Sequence, residues 1–249
     1  MRQLSLTALA GIPEVTAGAS LAELVLAGID ASGVGLHAGD VLVIAQKIVS
    51  KAEGRTRALA EVEPGDQALA LAHQHDKDPR LVQVVLDETA ELIRAERGVL
   101  ICRTHHGLVC ANAGVDLSNV PGEEVAVLLP EDPDESARRI LSALAKRVGV
   151  IISDSFGRVW RLGLTDVAIG AAGIEVIDDW RGRPDAQGRE LRATEIATAD
   201  ELAGAADLAR RKDSQEPAVL IRGAERSVTD EDGPGAAALR RPKDLDLFL

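Results

Sequence analysis

The pattern of apolar and polar positions begins with Leu4, Leu6 and Ala8, which alternate as in a half-buried strand before Gly11-Ile12-Pro13-Glu14 turns the chain. Ser20 to Ile29 has helical spacing, with Ser20 placed to cap it. Asp40 to Ala45 reads as a buried strand, and helical spacing returns over Asp66 to His75 and over Asp78 to Glu96, where Leu81, Val84, Val85, Leu92 and Ile93 share a face. Val99 to Cys102 and Gly107 to Ala111 pattern as a strand pair around His105-His106-Gly107, and Glu124 to Leu129 as another short strand. An amphipathic helix is predicted over Asp134 to Val148, its acidic start favouring the N-terminus, followed by a strand over Val148 to Ile152. Glycines and polar residues from Ser153 to Gly173 predict a loop-rich section, Ala193 to Lys212 a long alanine-rich helix and Ala218 to Arg222 a late strand. Strands and helices mix without regular alternation, so the pattern predicts a mixed α+β fold rather than a doubly wound sheet.

Composition narrows this picture. A chain of 249 residues, 46% hydrophobic and 27% charged, is long enough for one large domain or two lobes, and no repeat or linker divides it. The expectation is one domain over residues 1–249, with room for two lobes. No apolar run approaches the ~18 residues that span a bilayer, and no signal-like segment opens the chain, so a cytoplasmic location without membrane partners is expected. The net charge of -12 and the four aromatics, Phe156, Trp160, Trp180 and Phe248, argue against non-specific nucleic-acid binding, which relies on basic residues and stacking rings. Cys102 and Cys110 lack CxxC spacing and read as buried reduced thiols.

Three segments carry candidate chemistry. Only six of the 28 basic residues are lysines, and Lys47 and Lys51 fall in one five-residue window after a predicted strand. On an extended segment they face the same way and present two ammonium groups to one polyanion, with Gln46 or Ser50 adding hydrogen bonds. A solvated, positively charged strand end is the plain alternative. In Ala111-Asn112-Ala113-Gly114-Val115-Asp116-Leu117-Ser118-Asn119, small residues permit close backbone approach and Asp116 offers hard oxygens for magnesium or manganese; an Asp/Asn turn is the alternative. Ile151-Ile152-Ser153-Asp154-Ser155-Phe156-Gly157-Arg158 is an apolar strand emptying into an acid, hydroxyls and an arginine. Asp154 and Ser155 suit a magnesium-phosphate site, and Arg158 and Arg161 suit a phosphate or carboxylate, although a strand-end turn with Asp154 as helix cap explains the segment too. Together the three suit metal-assisted chemistry on a phosphate-bearing substrate.

Other signatures are absent or weak. There is no GxxxxGK[ST] or GxSxG, and Gly170-Ala171-Ala172-Gly173 is half of a dinucleotide-type turn. His37, His73 and His75 read as exposed or structural, while His105 and His106 have a better claim to a pocket.

Taken in order, Gly11-Ile12-Pro13-Glu14, QKIVSKAEGR, ANAGVDLSNV, ISDSFGRVWR, AIGAAG and the Pro217–Gly223 segment, with the closing Arg241-Pro242 and Asp246-Leu247-Phe248, resemble the coenzyme F420-0:L-glutamate ligase family over nearly the whole chain. The resemblance implies an α+β fold of mixed and antiparallel sheets, an intertwined homodimer, and GTP-dependent amide ligation of L-glutamate to coenzyme F420-0 in F420 biosynthesis, through an acyl phosphate. It also implies Mg2+ or Mn2+ at two sites, GTP as co-substrate and room for K+. By position, Ile12, Pro13, Glu14 and Val15 would border the nucleotide, with Gln46, Lys51, Asn119 and Lys212 contacting it. Asp116 and Asp154 would hold one metal and Ser155 a second, and Lys51, Asp116 and Asp154 would carry catalysis. Ser155 stands where many relatives have threonine, which keeps the oxygen ligand. Arg211-Lys212 departs from the family's usual glycine followed by lysine or glutamine, and a lysine supplies no metal ligand there. Neither motif nor spacing identifies a general base, and none is assigned; His106 is the residue considered for that role. A reductase-like C-terminal domain, found in some relatives, is not expected here. A ligase with a different carboxylate acceptor and a metal-dependent phosphohydrolase are the competing readings.

Overall fold

A computed structural model describes residues 3–120, 123–211 and 213–246, apart from the side chains of 118–120 and 123. In chain order the elements are β1 (Ser5–Ala8), α1 (Leu21–Ala31), β2 (Val41–Ala45), α2 (Gln46–Ala52), β3 (Thr56–Ala58), α3 (Asp66–His75), α4 (Pro79–Asp87), β4 (Thr89–Glu96), β5 (Val99–Thr104) and β6 (Val109–Ala111). They continue with β7 (Asp116–Val120), β8 (Glu123–Val127), α5 (Pro133–Ala143), β9 (Gly149–Arg158), β10 (Arg161–Ala172), β11 (Asp178–Asp179), β12 (Glu195–Ile196), α6 (Thr198–Ala209) and β13 (Ala218–Arg222). The expected mixed α+β character is borne out.

The main sheet has strand order β1-β13-β2-β9-β10, with only β2 and β9 parallel. The central strands β2 and β13 are buried on both faces, which is why they are apolar without alternation. Leu42, Ile44, Val150, Ile152 and Leu220 pack with α1 and α5 on one face. Val41, Val43, Ile151, Val219 and Ile221 pack with the small residues Ala199, Ala203 and Ala206 of α6 on the other. Ser20 caps α1 as expected, its hydroxyl accepting from the Glu23 amide. Beyond the main sheet, α4 places Val82 and Val85 against β5 and α3, and Val84 against Ala126 of the β3-β8-β7 sheet.

Five local expectations are corrected. The helical pattern over 78–96 ends at Asp87; β4 follows, because Thr89 to Glu96 pairs antiparallel with β5. The segment after β2 is the helix α2, not extended backbone, so Lys47 and Lys51 share a face by i,i+4 spacing instead of strand alternation. The section 153–173 is a long antiparallel hairpin of β9 and β10. Its glycine content misled: Gly170 is there because a Cβ would come within 2.2 Å of the Pro133 carbonyl oxygen where α5 crosses β10. The helix expected from Ala193 spans Thr198–Ala209, since Glu195–Ile196 pairs with Asp178–Asp179. The helix expected from Asp134 to Val148 spans Pro133–Ala143, with Asp132 as its cap. Among the described residues no helix is long and apolar enough to cross a membrane.

Candidate active site

One cavity of about 800 Å³ collects residues from five separate chain segments: 12–15, the β2–α2 junction, 110–116, the β9–β10 hairpin and 207–217. Its volume suits a nucleotide-sized ligand with a second molecule beside it.

The wall formed by α2 is built of ion pairs. Lys47 Nζ lies 2.5 Å from Asp116 Oδ2, and Lys51 is paired with the Glu14 carboxylate. Gln46 and Ser50 are buried, the Ser50 hydroxyl donating to Gln46 Oε1 at 2.7 Å. The Asp116 carboxylate is delivered by an unusual turn: Asn112, Ala113 and Gly114 are successive left-handed residues, with φ of 50°, 53° and 71°. For asparagine and alanine this conformation costs energy, and such strain clusters at ligand sites. Gly114 is required twice over, since a Cβ there would meet the Leu129 side chain at 2.7 Å. The turn opens directly onto β7, whose first residue is Asp116.

The opposite wall is built from β9, β10 and the end of α6. Asp154 accepts from the Ser155 amide at 2.9 Å. Burial pushes its pKa up to about 6, and the neighbouring Asp166 and Asp116 charges add to the rise. Cys110 lines the same cavity; burial, then the Asp154 charge, pushes its thiol up to about 12. Cys102 and Cys110 are both buried and free, as expected, and face each other across β5 and β6. Both are therefore neutral, unreactive thiols at neutral pH.

Asp166 and Arg210 went unnoticed in the sequence. Asp166 is buried beside the cavity, accepting from Ser153 Oγ at 2.9 Å and Ser155 Oγ at 2.7 Å, and pairing with the Arg210 guanidinium. The available signal was an acid opening the apolar run Val167-Ala168-Ile169, a placement that costs several kcal/mol unless the charge is paired.

Of the expected site residues, Ile12, Pro13, Glu14, Val15, Gln46, Lys51, Asp116, Asp154 and Ser155 line the cavity. Asn119 lies on β7 with its side chain outside the described residues, and Lys212 lies outside them altogether. Arg158 and Arg161 are not at the cavity. They sit at the hairpin end, exposed, with Arg158 donating to the Leu162 carbonyl, while Arg210 and Arg211 supply the cavity's guanidinium groups. His106 is held by Thr104 and the Pro130 carbonyl, a structural placement away from the cavity lining.

Among the described residues no three acidic, histidine or cysteine side chains form a metal cage. Two aspartates and a hydroxyl do fit Mg2+ or Mn2+, which are commonly held by one or two carboxylates and completed by phosphate oxygens and water. Burial is the main cause of the raised Asp154 pKa, and the like charges of Asp166 and Asp116 add to it, a cost that a divalent cation would relieve.

Fold and cavity define a mixed α+β protein whose scarce lysines, an arginine pair and several aspartates converge on one large cleft. The sequence profile of the F420-0:Gamma-glutamyl ligase family matches residues 11–223. The chain is 44% identical over 250 residues to the coenzyme F420:L-glutamate ligase of Methanothermobacter thermautotrophicus, covering 98% of each chain. It is also 44% identical over 241 residues to the protein of that name from Methanopyrus kandleri, covering 94% of this chain and 93% of the relative. The chain belongs to the F420-0:gamma-glutamyl ligase family.

Proposed function

We propose that this protein joins L-glutamate to coenzyme F420-0 through an amide bond, with GTP as the activating co-substrate and Mg2+ or Mn2+ at the site. The observation that carries the reading is the meeting of Lys47, Lys51 and Arg211 with Asp116 and Asp154 around one cavity, in a chain whose relatives bear the name coenzyme F420:L-glutamate ligase. Cations for phosphates and carboxylates for a divalent metal are what carboxylate activation by a nucleotide requires.

The terminal carboxylate of F420-0 attacks the γ-phosphorus of GTP, the bond to the bridging oxygen breaks, and GDP leaves. The glutamate amine then attacks the acyl carbon, the C–N bond forms, phosphate departs with the C–O electron pair, and the amine proton passes to solvent. Lys51 and Lys47 exchange Glu14 and Asp116 for phosphate oxygens, which keeps their charge paired throughout. The carboxylates of Asp116 and Asp154 would hold one metal and the Ser155 oxygen a second, supplying neutralising charge where the oxyanions meet. Glu14 and its neighbours Ile12, Pro13 and Val15 border the cavity and shape the nucleotide's place.

Incubation with F420-0, GTP, glutamate and Mn2+, followed by product mass, tests the proposal. One or more glutamyl increments are expected; GTP turnover indifferent to omission of F420-0 or glutamate would overturn it and favour a phosphohydrolase. We propose in addition that the protein is a homodimer. The hairpin end exposes Val159, Trp160, Leu162 and Leu164, with Leu162 98% exposed, an apolar patch suited to a second copy. Sedimentation of a Trp160→Asp/Leu162→Asp variant is expected to show monomers.

A further inference from the structure

We propose that Asp166, clasped by Arg210, is a positioning residue that sets the Ser155 hydroxyl for metal ligation. The inference rests on the reading of Ser155 as a metal ligand given above. Ser155 and Asp166 are directly opposite each other across β9 and β10, and the Ser155 hydroxyl donates to Asp166 Oδ1 at 2.7 Å. A serine hydroxyl is otherwise a rotor that alternates between donating and accepting. With its proton directed to a carboxylate, its oxygen acts as an acceptor, the role a cation needs.

The carboxylate itself is fixed from two further sides. Ser153, two residues before Ser155 and therefore on the same face of β9, donates to Asp166 Oδ2 at 2.9 Å. Arg210 pairs with that same oxygen and donates to Ser153 Oγ at 2.8 Å. Asp166 is 2% exposed, and the Arg210 side chain 9%. Outer partners of this type fix the orientation of ligating groups, and their loss typically lowers metal affinity by about 10- to 100-fold. Arg210 also follows the last turn of α6 and donates to the Pro217 carbonyl, so the clasp ties the Arg211–Pro217 segment to the hairpin carrying Asp154 and Ser155.

The test is Mn2+ binding, followed by EPR of the free ion, to the intact protein and to Ser155→Ala, Asp166→Ala and their combination. Both single variants are expected to lose roughly tenfold in affinity. The combination is expected to lose no more than Ser155→Ala alone, because Asp166 acts through that hydroxyl. Asp166→Ala takes the close carboxylate from the buried Arg210 guanidinium, leaving Asp207 at 3.8 Å, and endangers the fold. Asp166→Val/Arg210→Met removes both charges together, and is expected to fold by near-UV circular dichroism and still bind Mn2+ about tenfold more weakly. Unchanged affinity in the folded Asp166 variants, or losses that multiply in the combination, would overturn the proposal while leaving the metal reading intact. Failure of the intact protein to bind Mn2+ would overturn both.

Discussion

The two walls of the cavity carry ion pairs of opposite character. On the α2 wall, Lys47 and Asp116 are 42% and 56% exposed, and Lys51, itself 18% exposed, meets a Glu14 that is 79% exposed. On the hairpin wall, the side chains of Arg210 and Asp166 are 9% and 1% exposed and share bonds with two serines. Exposed pairs contribute little to stability and exchange partners at little cost, whereas a buried pair resists rearrangement because either charge alone is strongly disfavoured. Under the proposed function this contrast divides the labour of the cavity: one wall would release its cations to an arriving polyanion, and the other would hold ligand oxygens in place.

The sharpest way to break this contrast is Arg210→Ala, which takes the buried guanidinium away from the Asp166 carboxylate. It is expected to cost about 3–5 kcal/mol in urea unfolding; a loss under 1 kcal/mol would show that the buried pair is as replaceable as the exposed ones. Next in size is Asp154→Asn. A carboxyl whose folded pKa is raised from its ordinary range to about 6 takes up a proton more readily when folded, so its contribution to stability falls as pH rises from about 4 through 6. Asparagine removes that penalty, so the metal-free variant is expected to be more stable than the parent at pH 7, by on the order of 3 kcal/mol, with no difference near pH 3.5. Its ligase activity is expected to be lost. Equal unfolding midpoints at both pH values would contradict this.

Smaller effects belong to the lysine wall. Lys51→Ala is expected to raise the KM for GTP about tenfold, or about 1.4 kcal/mol, and the effect of Lys51 should shrink at high ionic strength. Smallest of all, Lys47→Ala is expected to change metal-free stability by less than about 1 kcal/mol, since its pair with Asp116 is exposed. A loss of several kcal/mol on the same unfolding assay would erase the difference between the walls.

Much of the fold was legible because it rests on local patterns. The apolar runs of β2 and β13, the Ser20 cap and the amphipathic start of α5 all report burial or capping that a few neighbouring residues define. The β9–β10 hairpin was not legible, because the glycines that suggested loop answer distant contacts: Gly170 makes room for Pro133. Nor was the change of backbone state at Glu88, where a helical pattern of apolar residues continues into β4 and only pairing with β5 stops it. In the site, Lys47 and Lys51 were found by scarcity and spacing, and both helix and strand geometry would have put them on one face. Asp166 stayed hidden because its meaning depends on Arg210, 44 residues later.

By itself the sequence determined which residue types were available: two neighbouring lysines, aspartates beside small and hydroxyl residues, and too few aromatics to build a stacking surface. Its ordered motifs also determined the family, since they survive as local strings. The tertiary structure alone decided which charges meet. Whether a carboxylate is an exposed, exchangeable partner like Asp116 or a buried clamp like Asp166 depends on solvation and on neighbours far along the chain, and both are set only when the sheet, the hairpin and α6 close around one cavity.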